Sequence, residues 1–211
     1  MGRIGLAIVA IILLGLTSVV PACAQYTGAL HTARPLEYRT TDVGPYIGLF
    51  DAEGESGTAV SAFGQARYGL FAAGDGGLKF GLVDFGRRSD VGLLLVGDLQ
   101  WALLAPRWGD ALWLSIGPEV GLYSVSDAHL WSFAGNLIAS YDFEGNFRRI
   151  SPYGRLTVRL EVSDNKHGSD TELQVGFNPG VRWEVSDFLD GVVEMQWDNR
   201  IGILAGLNFR L

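Results

Sequence analysis

The stretch IGILAGLNFRL (residues 201–211) decides how the rest of the chain is read. Ile201, Ile203, Ala205, Leu207, Phe209 and Leu211 are apolar. Gly202, Gly206, Asn208 and Arg210 between them are small or polar, with Leu204 the exception. Successive side chains of a strand point to opposite faces, so period two predicts a strand with one apolar and one polar face. The pattern runs to the terminal carboxylate. A sheet that closes on itself explains this, because the last strand must then meet the first.

The same alternation fills the chain upstream. In ELQVGFNPGVRWEV (172–185), Leu173, Val175, Phe177, Val181, Trp183 and Val185 oppose Glu172, Gln174, Gly176, Asn178, Arg182 and Glu184. ALWLSIGPEVGLY (111–123) and YGRLTVRLEV (153–162) divide in the same way. AAGDGG (72–77), APRWGD (105–110), SDFLDG (186–191) and WDNR (197–200) carry the Gly, Asp, Asn and Pro of tight reversals. About ten strands result, near 43–51, 59–71, 77–85, 91–104, 111–123, 129–142, 152–163, 171–185, 191–198 and 201–211. No segment from Gln25 onward has helical periodicity. The expected fold is all-β, an antiparallel up-and-down meander closed into a transmembrane barrel, with between about eight and twelve strands.

Ahead of the barrel, Arg3 precedes an apolar run from Ile4 to Val20, Pro21 breaks it, and Ala22-Cys23-Ala24 fits a small-x-small cleavage site. Residues 1–24 therefore read as a signal peptide removed before Gln25. Two other readings of the segment are a membrane anchor and lipidation of Cys23 behind Val20-Pro21-Ala22. Residues 25–42 form an unpatterned leader, and 43–211 the barrel. Cleavage removes one of 16 basic residues and none of 23 acidic ones, leaving a net charge of −8. An acidic chain without a basic cluster argues against nucleic acid as a partner. The single cysteine, Cys23, leaves no disulfide framework, thiolate metal site or cysteine nucleophile.

Alternation alone does not say which face meets water. The polar face carries charge in mid-strand: Arg67, Lys79, Asp98, Glu119, Arg155, Arg159, Glu161, Glu172, Arg182, Glu184 and Glu194. Trp101 and Trp183 fall toward one rim, and Trp131 and Trp197 toward the other, as in an aromatic girdle. With its closing strand bearing Leu207, Phe209 and Leu211, the chain resembles bacterial outer-membrane β-barrel proteins, whose last strand alternates and carries an aromatic near its end. That resemblance implies residence in the outer membrane, contact with the lipid bilayer, and recognition of the terminal strand by the barrel-assembly machinery. It implies no cofactor and no subfamily. The eleven charges then face a lumen, where they neutralise one another in a filled interior or line a narrow conduit. The alternative is a soluble secreted barrel or sandwich that binds a small apolar ligand, with the same alternation turned inside out.

Residues able to do chemistry are few. His31 lies in the leader, His129 at a strand start on the lipid-facing parity, and His167 in the polar segment SDNKHGSDTE (163–172) with Asp164 and Asp170. That segment lacks the ligand spacing of a calcium loop. Ser124, Ser126 and Asp127 precede His129, so the atoms of a rim-site lipid hydrolase are present. No strained G-x-S-x-G turn surrounds them. The expectation is a barrel without catalytic, cofactor or metal residues.

Overall fold

A computed structural model describes residues 27–51, 58–84, 91–106, 111–125, 128–144, 148–165, 168–198 and 200–211. The expected signal peptide, Cys23, Ser126, Asp127 and His167 lie outside the described residues. The alternating segments form β1 (Thr41–Asp51), β2 (Thr58–Phe71), β3 (Gly74–Asp84), β4 (Val91–Leu104), β5 (Leu112–Val125) and β6 (Ala128–Tyr141). They continue as the two-residue β7 (Phe143–Glu144), then β8 (Arg149–Asn165), β9 (Gly168–Ser186), β10 (Leu189–Asp198) and β11 (Arg200–Arg210).

Every neighbouring pair is antiparallel, and the sheet closes. β6 pairs with β8, with Phe133 opposite Leu160. β1 pairs with β11, with Val43 opposite Phe209 and Leu49 opposite Ile203. Because β7 only pads the start of β8, the wall is a ring of ten long strands in up-and-down order. Closure pairs the backbone of both β1 and β11, the groups that a bilayer cannot hydrogen-bond.

Burial follows parity. Alternate residues of β2 from Ala59 to Gly69 are buried. The distribution is inside-out: Arg155, Arg159 and Lys79 are among the largest fully buried side chains, while Leu173, Val175 and Ile201 are 60% or more exposed. A continuous exposed apolar belt far exceeds the patches that soluble monomers tolerate, and it is the face a membrane barrel turns to lipid. Where a soluble carrier would need a dry apolar core, buried polar and charged side chains outnumber the buried apolar ones.

Several turns are shorter than their sequence suggests. The 72–77 turn is only Ala72 and Ala73, and that at 186–191 only Asp187 and Phe188. β8 and β9 run on through most of the polar 163–170 segment, so it is a strand hairpin and not a long loop. Residues read as turn formers, Asp75 and Asp190 among them, thereby become wall residues. The rim holding Thr41, these two turns and Arg210 is called the terminal rim below. Trp101, opposite Gly74, and Trp183, opposite Gly191, lie toward it. Trp131, opposite Val162, and Trp197, opposite Ile201, lie toward the other.

Candidate functional site

Eight strands make an interior that side chains just fill, so ten leave space over. The leader takes it. Thr27 through Ala33 are buried inside the barrel. The leader meets the wall at the terminal rim, where the Arg39 amide donates to the Gly69 carbonyl (2.9 Å) and the Gly69 amide to the Thr40 carbonyl (3.0 Å). A Cβ on Gly69 would lie 1.9 Å from the Glu37 carbonyl oxygen, so only glycine admits this approach. Going inward, the Leu36 amide donates to Asp75 Oδ2 (2.7 Å) and the Ala33 amide to Ser140 Oγ (3.1 Å). Gln100 Nε2 donates to the Thr32 carbonyl (2.9 Å) and Lys79 Nζ to that of Gly28 (2.5 Å). Thr27 Oγ1 ends 3.4 Å from the Tyr123 hydroxyl, toward the opposite rim.

Glu194 is the centre of this arrangement and has no solvent exposure. Its carboxylate accepts from the successive amides of Ala29 (2.9 Å) and Leu30 (2.8 Å), from the Tyr153 hydroxyl (2.8 Å) and from Asn178 Nδ2 (3.0 Å). Arg155 Nη2 stands 4.0 Å away. Successive amides converging on one carboxylate make an anion-binding backbone, and each charged hydrogen bond contributes about 1.5–3 kcal/mol. Leu30 is held at φ 58°, a left-handed conformation that a bulky residue adopts at a cost of about 1–3 kcal/mol.

The remaining charges pair around the leader. Arg67 binds Asp75 and, at 2.7 Å, Asp98. Lys79 and Arg155 share Glu119, at 3.6 and 3.3 Å. Arg159 bridges Glu161 (2.6 Å) and Asp198 (3.1 Å). Arg182 joins Asp42 (2.6 Å) to Asp190, and Arg149 meets Glu184 at 3.1 Å. Glu172 is half-buried, directly across from Glu161. Sequence parity alone misses the acidic partners Asp42, Asp75 and Asp190, which fall in the leader or a turn, and Asp198, the last residue of the strand expected at 191–198 and also part of the WDNR turn. Extending strand parity by two to four residues would have found them: Asp75 shares a face with Lys79, and Asp190 and Asp198 with Glu194.

At the terminal rim a vestibule of about 140 Å³ opens between Arg34, Asp142, Arg182 and Asp190, smaller than the usual few hundred Å³ of a small-molecule site. The leader's His31 is buried beside Arg67; its Nδ1 donates to the Ala29 carbonyl at 2.6 Å, and Arg67 Nη1 is 3.1 Å from the same nitrogen. His129 is outside the barrel, its Nδ1 3.0 Å from Ser124 Oγ. Ser124, His129 and Asp164 are successive cross-strand partners on β5, β6 and β8, one step beyond the row of Leu122, Trp131 and Val162. Among the described residues no three His, Cys, Asp or Glu converge as metal ligands.

No family model matches the sequence, and no curated protein matches it. Solved structures do. The COG4313 outer membrane channel from Pseudomonas putida F1 aligns over 89% of this chain and 100% of its own, at 13% identity and TM-score 0.50. The N-terminal β-barrel domain of Pseudomonas aeruginosa OprF aligns over 83% and 100%, at 9% identity and TM-score 0.39. A bacterial polysaccharide outer membrane secretin aligns over 82% of this chain at 14% identity and TM-score 0.45, and this chain spans 65% of that protein's length. Such identities speak for fold alone, and that fold is the closed antiparallel up-and-down barrel, here with an apolar outer belt and a charged interior.

Proposed function

We propose that the protein is exported behind its signal peptide to the bacterial outer membrane and acts there as a structural barrel with a closed lumen, passing at most small ions. The observation that carries this reading is the leader seated on Glu194, in an interior lined by ion pairs. Its terminal strand, with Leu207, Phe209 and Leu211 all turned outward and exposed, is the part offered to the assembly machinery. The purified protein should show heat-modifiable mobility in detergent and single-channel currents near the baseline in planar bilayers. Large, stable currents from the unaltered protein would refute the closed lumen.

We read the Ser124–His129–Asp164 row as interfacial polar residues and not as a hydrolase. His129 is exposed to solvent, and Ser124 lies on a regular strand without the strained turn that presents a nucleophile beside an oxyanion site. Residues of this kind cap the apolar belt where lipid gives way to water.

A further inference from the structure

The way the leader is held makes the lumen a binding site in its own right. We propose that it is a polypeptide-binding channel whose resident ligand is the chain's own segment 27–36, a tethered plug that closes the pore and can be replaced by an added segment of the same kind. This rests on the closed-lumen reading above and adds what does the closing.

The contacts are those of a site that reads main chain. Four leader amides (Ala29, Leu30, Ala33 and Leu36) donate to wall side chains, and two leader carbonyls (Gly28 and Thr32) accept from them. The wall partners Asp75, Lys79, Gln100, Ser140 and Glu194 come from four different strands, so the site exists only in the closed barrel. Selection is steric. A Cβ on Gly28 would lie 2.3 Å from Glu194 Oε1, and Ala29 and Ala33 are wholly buried. The ligand class is therefore a peptide segment with glycine beside the Glu194 carboxylate and small residues at the positions of Ala29 and Ala33.

The plug is also separable from the wall. It contributes no strand to the ring, and it joins β1 through an exposed turn in which the Thr40 amide donates to the Glu37 carbonyl (3.0 Å). Leu30 gives up its left-handed backbone on leaving. Inside the lumen, Gln65 and Gln196 are 4% and 1% exposed, and neither side-chain amide has a hydrogen-bond partner. That is polar capacity which the leader leaves unused and water could occupy in an open pore.

The test compares the full-length protein with its Gly28→Val and Ala29→Pro variants in planar bilayers. The first forces the leader off Glu194, and the second removes an amide that Glu194 accepts from. Neither alters the wall, so heat-modifiable mobility should persist. Both variants should conduct at least about tenfold above the native leak, since ten strands enclose more than side chains fill. A synthetic peptide of residues 27–36 should close these channels again, and the same peptide carrying Gly28→Val should not. Silent but correctly folded variants would overturn the plug, and so would loss of heat-modifiable folding in both, because the leader would then belong to the folding core. Open variants indifferent to the peptide would overturn the binding site. Large currents from the native protein would instead refute the closed-lumen reading itself.

Discussion

At the scale of single residues, the interior is governed by the cost of burying charge. Arg159 is 2% exposed and lies between Glu161 and Asp198. Its net contribution relative to an apolar side chain could be small, but removing it alone strips a guanidinium from between two buried carboxylates. Arg159→Met should therefore destabilise the barrel by about 3–5 kcal/mol, read as a lower urea midpoint in lipid vesicles. Neutralising Arg155 as well takes a cation from Glu119 and Glu194, and should loosen the seat of the leader in addition. Leu204 follows the opposite logic. It is the one apolar residue on the polar face of the closing strand, and it is wholly buried with Leu30 and Phe50 in an apolar cluster inside the lumen. The irregularity in the alternation belongs to the same buried apolar cluster as the leader's Ala29, Leu30 and Ala33.

At the scale of the strand, position on the lipid face sets the penalty for a charge. Val175 is in mid-β9, points outward and is 60% exposed. Val175→Arg should cost about 2–4 kcal/mol of folding stability in a bilayer, as an arginine at the membrane midplane does. The measurement is the fraction of heat-modifiable protein formed on folding into vesicles, and a wild-type yield would contradict the lipid-facing assignment. The strands themselves were legible because lipid on one side and a polar lumen on the other impose strict period two. Their ends were less so. Gly and Asp near a reversal look the same whether they form the turn or flank it within the ladder, which is why 74–77 and 163–170 read as turn and loop.

At the scale of the whole molecule, the lumen carries an excess of acid. Among the described residues, nine buried carboxylates (Asp42, Asp75, Asp98, Glu119, Asp142, Glu161, Asp190, Glu194 and Asp198) are met by the buried Arg67, Lys79, Arg155 and Arg159 and, at the terminal rim, by the less buried Arg34, Arg182 and Arg210. With the leader in place, its amides satisfy part of that negative charge at Glu194 and Asp75. With the leader displaced, the wall should favour cations. The Gly28→Val channel in a salt gradient should accordingly show a reversal potential of the cation-selective sign, and anion preference would contradict the charge assignment.

Period two along the chain was enough for the antiparallel strands and for which residues share a face, because local backbone geometry imposes it on every strand; which of the two faces is the exposed apolar one was decided by the closed ring. The sequence held no comparable signal for residues 27–36. Their course is set by no period of their own but by what the finished ring leaves unfilled: a lumen too wide for side chains alone, with Glu194 and Lys79 placed at mid-height by different strands. Only closure brings those groups together around a chain as small as Gly28-Ala29. That is why the wall could be read residue by residue, and the plug appeared only in the tertiary structure.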